Sequence, residues 1–102
     1  MSLGNARIKP SATTLTTLFT ASADSVVSSI CITNIGGTAT TFRIALRPLG
    51  ASISDSHYIY YDLPIDANDT FIFTGGMTLK NTDIISVYSG NANLTFNLFY
   101  TT

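Results

Sequence analysis

The sequence lacks several residue types, and each absence excludes a class of structure. Glutamate, glutamine and tryptophan do not occur among its 102 residues, and cysteine occurs once, as Cys31. Glutamate and glutamine are among the best helix formers, so their absence disfavours a helical protein. A single cysteine excludes an intramolecular disulfide, and its segment "SSICITN" is apolar, which predicts a free and buried thiol. A free thiol fits a reducing compartment.

Charged residues are also scarce. The chain carries five lysines and arginines and six aspartates, for a net charge of -1. A nucleic-acid surface normally needs a basic patch to neutralise phosphates, so we expect no nucleic acid as a partner. No apolar run approaches the ~20 residues that span a bilayer, and residues 1–10 lack the apolar segment of a secretory signal. We therefore expect no membrane contact and synthesis in the cytoplasm.

The abundant residues favour strands. Threonine, serine, isoleucine, valine, tyrosine and phenylalanine dominate short apolar segments, which glycine, proline, asparagine and aspartate separate at intervals of about 8–12 residues. The segments with this pattern are 14–19, 26–34, 40–47, 57–63, 70–74, 83–89 and 94–100. Such spacing is typical of a sandwich or small barrel. We predict an all-β fold: a single-domain antiparallel β-sandwich, jelly-roll-like, of seven to eight strands.

The ends of the predicted strands indicate how the domain is organised. Residues 1–12 mix glycine, asparagine, proline and basic residues without a period, which predicts an extended N-terminal arm before a sandwich domain of residues 13–102. The arm carries two basic side chains, Arg7 and Lys9. After the segment 26–34, the residues "IGG" predict the turn of a hairpin.

Several predicted strands carry large side chains on both faces. On these strands one face is already apolar, and the opposite face carries aromatic rings: Tyr58, Tyr60, Phe71, Phe73, Tyr88 and Phe99. A bulge in a strand would move some of these rings to the other face. A sandwich of this size needs only one apolar face per sheet. Exposed aromatic patches mark protein–protein contacts, so we predict an obligate oligomer.

Two arginines alternate with core residues in the stretch "TTFRIALRPLG". Phe42, Ile44 and Leu46 are predicted to point inward, and Arg43 and Arg47 outward. Two interpretations are open: a solvated strand face with aspartates as cross-strand partners, and a contact with another subunit or a host surface. The candidate interface residues are Arg43, Arg47, Tyr58, Tyr60, Tyr88, Arg7 and Lys9.

Groups for catalysis or metal binding are few. His57 is the only imidazole, and we interpret it as the start of a strand that hydrogen-bonds into the preceding "SDS" loop, since no nucleophile motif accompanies it. Three aspartates, Asp62, Asp66 and Asp69, offer ligands for calcium, but their spacing is not that of an EF-hand and aspartate is an ordinary turn former. We predict no enzymatic activity, no cofactor and no metal.

One resemblance covers most of the chain, about residues 26–99. It rests on "NIGG" leading into "ATTFRIALRP", then "HYIYYD" with "DT" after it, "GMTL" before "DIISVY", and a final "LTFNLF". This pattern resembles small structural proteins of tailed bacteriophages. The resemblance implies a component of the virion, a β-sandwich that decorates or cements the capsid or belongs to the tail or its fibres. It implies no catalytic residue.

These observations lead to one main hypothesis and two alternatives. The main hypothesis is a non-enzymatic capsid cement protein, made in the host cytoplasm and located in the virion. It would form a homotrimer or another symmetric homo-oligomer and bind the major capsid protein or tail proteins. The first alternative is a tail or fibre module that binds a host receptor. The second is a carbohydrate-binding module in which Tyr58, Tyr60 and Tyr88 stack on a sugar beside Asp62.

Overall fold

Two antiparallel sheets packed face to face make up the protein, as the sequence predicts. The computed structural model describes residues 2–102, and within them nine strands form: β1 (Leu3–Ile8), β2 (Thr16–Thr20), β3 (Ser25–Asn34), β4 (Thr40–Arg47), β5 (Tyr58–Ile65), β6 (Thr70–Phe73), β7 (Met77–Leu79), β8 (Ile84–Ser89) and β9 (Leu94–Thr101). Two short 3-10 helices, Pro48–Gly50 and Asp55–His57, lie between β4 and β5. Among residues 2–102, no helix has the length and apolar character needed to cross a membrane.

The order of the strands is that of a jelly roll. The five-stranded sheet runs β1-β9-β3-β6, with β7 also paired to β3, and the four-stranded sheet runs β2-β8-β4-β5. The strands β6 and β7 share one position beside β3 and are separated by a turn in which Gly76 has a φ of 76°. The nine strands of residues 2–102 therefore fill the eight positions of a jelly roll.

The core lies between the sheets and has aromatic rings at its centre. Phe42 and Ile44 of β4 are fully buried, and Leu46 packs against the core, as predicted. The Phe42 ring lies 5.5 Å from that of Phe71 and 6.3 Å from that of Phe96 between centroids. Other fully buried side chains come from β3, β8 and β9: Val27, Ile30, Ile32, Ile85, Val87, Leu94 and Leu98.

Three rings predicted on outer faces belong to the core. Phe71 and Phe73 of β6 pack against it, while Ile72 between them is exposed, so the prediction had the two faces of β6 reversed. Tyr60 also packs against the core. When both faces of a short strand are apolar, the alternation of residues does not show which face is buried. The prediction for these three residues was wrong for that reason.

A bulge in β5 explains the position of Tyr60. In the pairing of β4 with β5, Phe42 lies opposite Leu63 and Ile44 lies opposite Tyr60, so two residues of β5 face the single residue between them on β4. One of the two, Asp62, has a left-handed φ of 53°. The extra residue shifts the alternation, and Tyr60 and Leu63 therefore share the inner face.

The predicted arm contributes a strand. Residues Leu3–Ile8 are extended but form β1, which pairs along its length with β9, and the sandwich therefore begins before the predicted boundary at residue 12. The inward positions of β1 hold Gly4, Ala6 and Ile8, two of them too small to give a clear apolar period. Met1, the first residue of the predicted arm, lies outside the described residues.

The residues "IGG" form a crossover between sheets and not a hairpin turn. The strands they connect, β3 and β4, lie in different sheets, and neither Gly36 nor Gly37 has a positive φ. The turn is held by the buried side chain of Asn34. Its Nδ2 donates to the carbonyl oxygens of Thr38 at 2.9 Å and Asp66 at 3.2 Å, and its Oδ1 accepts from the N–H of Gly36 at 3.0 Å.

Candidate functional site on the four-stranded sheet

The Arg43 side chain lies between two tyrosine rings on the outer face of the four-stranded sheet. Its Cζ is 4.1 Å from the centroid of Tyr61 and 4.2 Å from that of Tyr88. Its Nε donates to Oδ1 of Asp62 at 2.6 Å, and its Nη2 donates to Oδ2 of the same carboxylate at 3.3 Å. Ring stacking and a two-point ion pair together hold the guanidinium in one orientation.

The fold assembles this group through the bulge in β5. Tyr61 and Asp62 are the two residues that face Arg43 from β5, and Tyr88 is its direct neighbour on β8. A regular strand would place only one residue opposite Arg43 on this side. The bulge therefore allows β5 to present a ring and a carboxylate to the same arginine.

The ion pair is electrostatically favourable but only partly shielded. The hydrogen bond to Asp62 raises the pKa of Arg43 above its ordinary value, with the charge of Asp62 adding to the shift and burial opposing it. The Asp62 side chain is 42% exposed, so solvent screens the pair, and its contribution to stability is about 0.5–1 kcal/mol. Of the two interpretations open for Arg43, cross-strand pairing with an aspartate is present in the structure.

Arg47 holds the loop that follows β4. Its Nε donates to Oγ of the buried Ser86 at 3.2 Å, and its Nη1 donates to the carbonyl oxygen of Ala51 at 3.2 Å. The first contact is to β8 and the second to residues 48–57. Arg47 thus binds the loop to the sheet beneath it. Its partners are a hydroxyl and a carbonyl, and not the aspartate that one of the two open interpretations gives it.

Two further residues extend the aromatic surface next to Arg43. The Tyr58 ring meets the Tyr61 ring edge to face, with centroids 4.9 Å apart and an interplanar angle of 82°. Asp55, Tyr58 and Tyr61 line an open groove of about 400 Å³. We call Arg43, Tyr58, Tyr61, Asp62 and Tyr88 the arginine–tyrosine cluster.

The cluster brings together three of the seven predicted interface residues: Arg43, Tyr58 and Tyr88. A fourth, Arg47, lies on β4 with Arg43 but outside the cluster. Tyr60 is separated from the cluster because it packs in the core. Arg7 and Lys9 belong to the other sheet and its edge, where Nη2 of Arg7 donates to Oδ1 of Asn5 at 3.3 Å.

Tyr61 belongs to the cluster but was not among the predicted site residues. Strict alternation of the strand residues assigns its ring to the inner face. The two adjacent tyrosines in "YIYYD" are the sequence signal that this alternation is broken.

Three of the four groups considered for chemistry, His57, Asp62 and Asp69, have structural partners. The Nδ1 of His57 accepts from the backbone N–H of Ser54 at 3.2 Å, which confirms that this histidine hydrogen-bonds into the "SDS" loop. Asp62 is bound to Arg43, and Asp69 accepts from the N–H of Thr70 at 2.8 Å. Within the described part of the chain, no three histidine, cysteine or acidic side chains are grouped so that they could hold a metal ion.

The cluster is a fixed aromatic and polar surface that can bind by stacking and hydrogen bonding. Its most exposed ring, Tyr61, is 59% exposed and is held from one side by Arg43. No protein-family model matches the sequence, and comparison with curated proteins finds no match.

Proposed function

We propose that this chain is a non-enzymatic structural protein of a bacteriophage virion, a capsid cement or decoration protein that acts as a homo-oligomer. The observation that carries the proposal is the outer face of the five-stranded sheet, which exposes large apolar side chains: Leu3, Val26, Ile72 and Phe99. The core of this sandwich is already filled between the sheets. Exposed apolar side chains that share one face are typical of a surface that contacts another protein.

The fold and the resemblance support the same class of function. Jelly rolls occur in viral capsid proteins and in lectins, although one fold hosts many functions and the analogy alone assigns none. The resemblance of residues 26–99 to small structural proteins of tailed phages favours the virion among these.

The proposed mechanism is physical stabilisation of a shell. A protein that binds the assembled shell but not its dissociated subunits stabilises the shell by mass action. If each oligomer binds at several points, the contacts reinforce one another, because after the first contact the others form at a high effective concentration. No chemical step is needed for this role.

We expect the protein to be present in purified phage particles at a fixed ratio to the major capsid or tail protein, measured by mass spectrometry. Shells that lack it should open at a lower temperature and regain their stability when the protein is added. Its absence from purified particles, or binding that leaves the opening temperature unchanged, would contradict the cement role.

Arg7 and Lys9, the basic candidate interface residues of the N-terminal segment, are candidate contacts with the shell. Deleting residues 1–12 is not a clean test of this contact, because the deletion also removes β1 from the sheet. The double variant Arg7→Ala with Lys9→Ala keeps the strand and removes only the two basic side chains. Lys80→Ala is the matched control, since Lys80 is also exposed but lies outside the strands. A loss of shell affinity of about tenfold in the double variant alone would place the shell contact at the β1 edge.

A second candidate function is recognition of a host carbohydrate by a tail or fibre module. The groove formed by Asp55, Tyr58 and Tyr61 favours it, because sugars stack on exposed aromatic rings and hydrogen-bond to carboxylates. The rings available for stacking differ from the predicted Tyr58, Tyr60 and Tyr88. Tyr60 lies in the core, and the guanidinium of Arg43 lies over the ring of Tyr88. Tyr61 supplies the exposed ring instead.

Under this second candidate, Tyr61→Ala should weaken glycan binding by about tenfold or more, since it removes the stacking ring. Binding is measured by titrating host-surface glycans against tyrosine fluorescence, which no tryptophan obscures. Ile59→Ala is the control, as an exposed residue of the same strand. A lack of saturable binding to the native chain would reject this candidate and leave the structural role in place.

A further inference from the structure

We infer that the outer face of the five-stranded sheet is the surface on which a second copy of this chain docks, sheet against sheet. The inference rests on the proposed function as a homo-oligomer and specifies the contact. The candidate interface residues predicted from the sequence lie on both sheets: Arg43 and Arg47 are on the four-stranded one, and Arg7 is on β1 of the five-stranded one.

The face combines exposed apolar side chains with uncharged polar ones and carries almost no charge. Leu3 is 79% exposed, Ile72 55%, Val26 48% and Phe99 40%. Cys31, predicted to be buried, is partly exposed on the same face between Asn97 and Ile72, because it alternates with the inward-facing Ile30 and Ile32. Within residues 2–102, the five strands of this sheet contain one charged residue, Arg7 on the edge strand β1.

The apolar side chains are neighbours across the strands. Leu3 of β1 and Val26 of β3 both lie opposite Thr101 of β9. Phe99 is two residues from Thr101 on the same face and lines a groove with Leu3. These residues therefore lie near one another over β1, β9 and β3, with Thr101 between Leu3 and Val26, and Ile72 lies on the β6 side.

The outer face of the four-stranded sheet is occupied by the protein's own groups. The arginine–tyrosine cluster pairs Arg43 with Asp62, and Arg47 fastens residues 48–57 over the sheet. The five-stranded face has no such cover in the described chain. The four-stranded sheet also exposes apolar side chains, Ile59 and Tyr61, but they lie beside the charged groups of Arg43, Arg47 and Asp62. The two faces therefore differ in charge, and the five-stranded face is the one that a partner can cover without burying an ion pair.

The polar residues of the face favour a copy of the same face as the partner. They are threonines, serines and asparagines, whose side chains both donate and accept hydrogen bonds, and can therefore pair with their own kind: Asn5, Ser29, Thr33, Thr70, Thr78, Thr95, Asn97 and Thr101. A two-fold contact brings identical patches together and buries no unpaired acid. A highly charged partner would meet only Arg7 on these strands.

The size of the face is also adequate. Four strands spaced ~4.8 Å apart and ~20–30 Å long outline roughly 500 Å². Two copies of this face would bury roughly 1,000 Å² in total, which is the lower limit for a specific interface and below the ~800 Å² per partner of a standard one. Stacked sheets in proteins pack about 10 Å apart in the same manner.

Other modes of self-association are less favourable at two of the sheet edges. In the four-stranded sheet, the edge strand β5 contains Pro64 and the bulge at Asp62. In the five-stranded sheet, the edge away from β1 is formed by β6 and β7 and is interrupted between them at Gly75 and Gly76. A proline, a bulge and a short broken strand each hinder the addition of a strand from another chain. This supports contact through the face rather than through these edges.

The test compares Phe99→Asp with Ile59→Asp. The two residues are exposed to nearly the same degree, 40% and 41%, but Ile59 lies on β5 in the other sheet. Sedimentation velocity over about a hundredfold range of concentration should give the native chain and Ile59→Asp a species of twice the 10.9 kDa chain mass. Phe99→Asp should weaken dimerisation by at least ~100-fold, because it buries a carboxylate without a partner. Circular dichroism verifies that each variant is folded.

Cys31 provides an independent reading without any substitution. As the single cysteine of the chain, it reports through its rate of reaction with a maleimide. We expect its reaction to be at least about tenfold slower in the dimer than at dilution, where the face is open. In Phe99→Asp the rate should be fast at every concentration.

Four results would overturn the inference. The first three are a native chain that stays monomeric at the highest concentration, an oligomer that Phe99→Asp leaves intact, and a Cys31 rate that does not depend on concentration. The fourth is an oligomer of another size, such as a trimer, which would place the contact elsewhere while leaving the homo-oligomeric cement role standing. Absence of the protein from purified particles would reject that role without affecting the dimer contact.

Discussion

Phe42→Ala should lower the free energy of unfolding by about 3–5 kcal/mol, the range for removing a fully buried ring. Phe42 is 0% exposed and lies among three other rings, with centroids 6.1 Å from Tyr60, 5.5 Å from Phe71 and 6.3 Å from Phe96. Two of these rings belong to the opposite sheet. The cavity would therefore open at the contact between the sheets, where neither backbone can easily close it.

The measurement is equilibrium unfolding in urea, followed by circular dichroism. Phe42→Leu is the matched control, and it should cost about 1–1.5 kcal/mol because it keeps most of the apolar volume. Domains of this size are stable by only about 5–15 kcal/mol, so the alanine variant loses a large share of the total. Equal losses for the two variants, or a loss below about 1 kcal/mol for alanine, would show that the ring cluster is not the centre of the core.

Asp83→Ala should have the second largest effect, a loss of about 2–4 kcal/mol. The carboxylate of Asp83 is buried, and it accepts from the backbone N–H of Leu49 at 2.8 Å and from that of Lys80 at 2.9 Å. Alanine would leave both donors without this partner. Since Leu49 has a left-handed φ of 53°, the loop loses the contact that holds it in that conformation.

Two variants sharpen this test. Asp83→Asn retains one oxygen acceptor and should lose about half as much stability as alanine. Asp24→Ala also removes a carboxylate bound to a backbone N–H, that of Asn81 at 3.0 Å, but in an exposed position, and should cost less than about 1 kcal/mol. Hydrogen exchange should increase at the amides of Leu49 and Lys80 in Asp83→Ala. Unchanged exchange at both amides would contradict the assigned role.

Sequence patterns predict most of this fold because turn residues separate short apolar segments at a spacing that indicates a sandwich of about eight strands. In β4 and β9 the inward residues also alternate with outward ones: Phe42, Ile44 and Leu46 in the first, and Leu94, Phe96 and Leu98 in the second. The failures have local causes. The inward side of β1 holds Gly4 and Ala6, which are too small to mark a face, and both faces of β6 are apolar.

The candidate site depends on a feature that alternation cannot predict. One of the two interpretations open for Arg43 gives it an aspartate as cross-strand partner, and Asp62 is that partner. The role of Tyr61 follows from a bulge of one residue, and the pattern that predicts a regular strand places this ring in the core. The hydrogen bond from Arg47 to the carbonyl oxygen of Ala51 likewise depends on how residues 48–57 fold over the sheet, which the strand pattern does not determine.

The strand order has a consequence for how the chain can fold as it is synthesised. The strand β9 lies between β1 and β3, and β8 lies between β2 and β4, so the last two of these nine strands to be synthesised fill gaps in the middle of both sheets. Until they emerge, β1 and β2 have no strand to pair with in their own sheets. We therefore expect a nascent chain ending before β8 to remain sensitive to protease and to become resistant only after β9 is released.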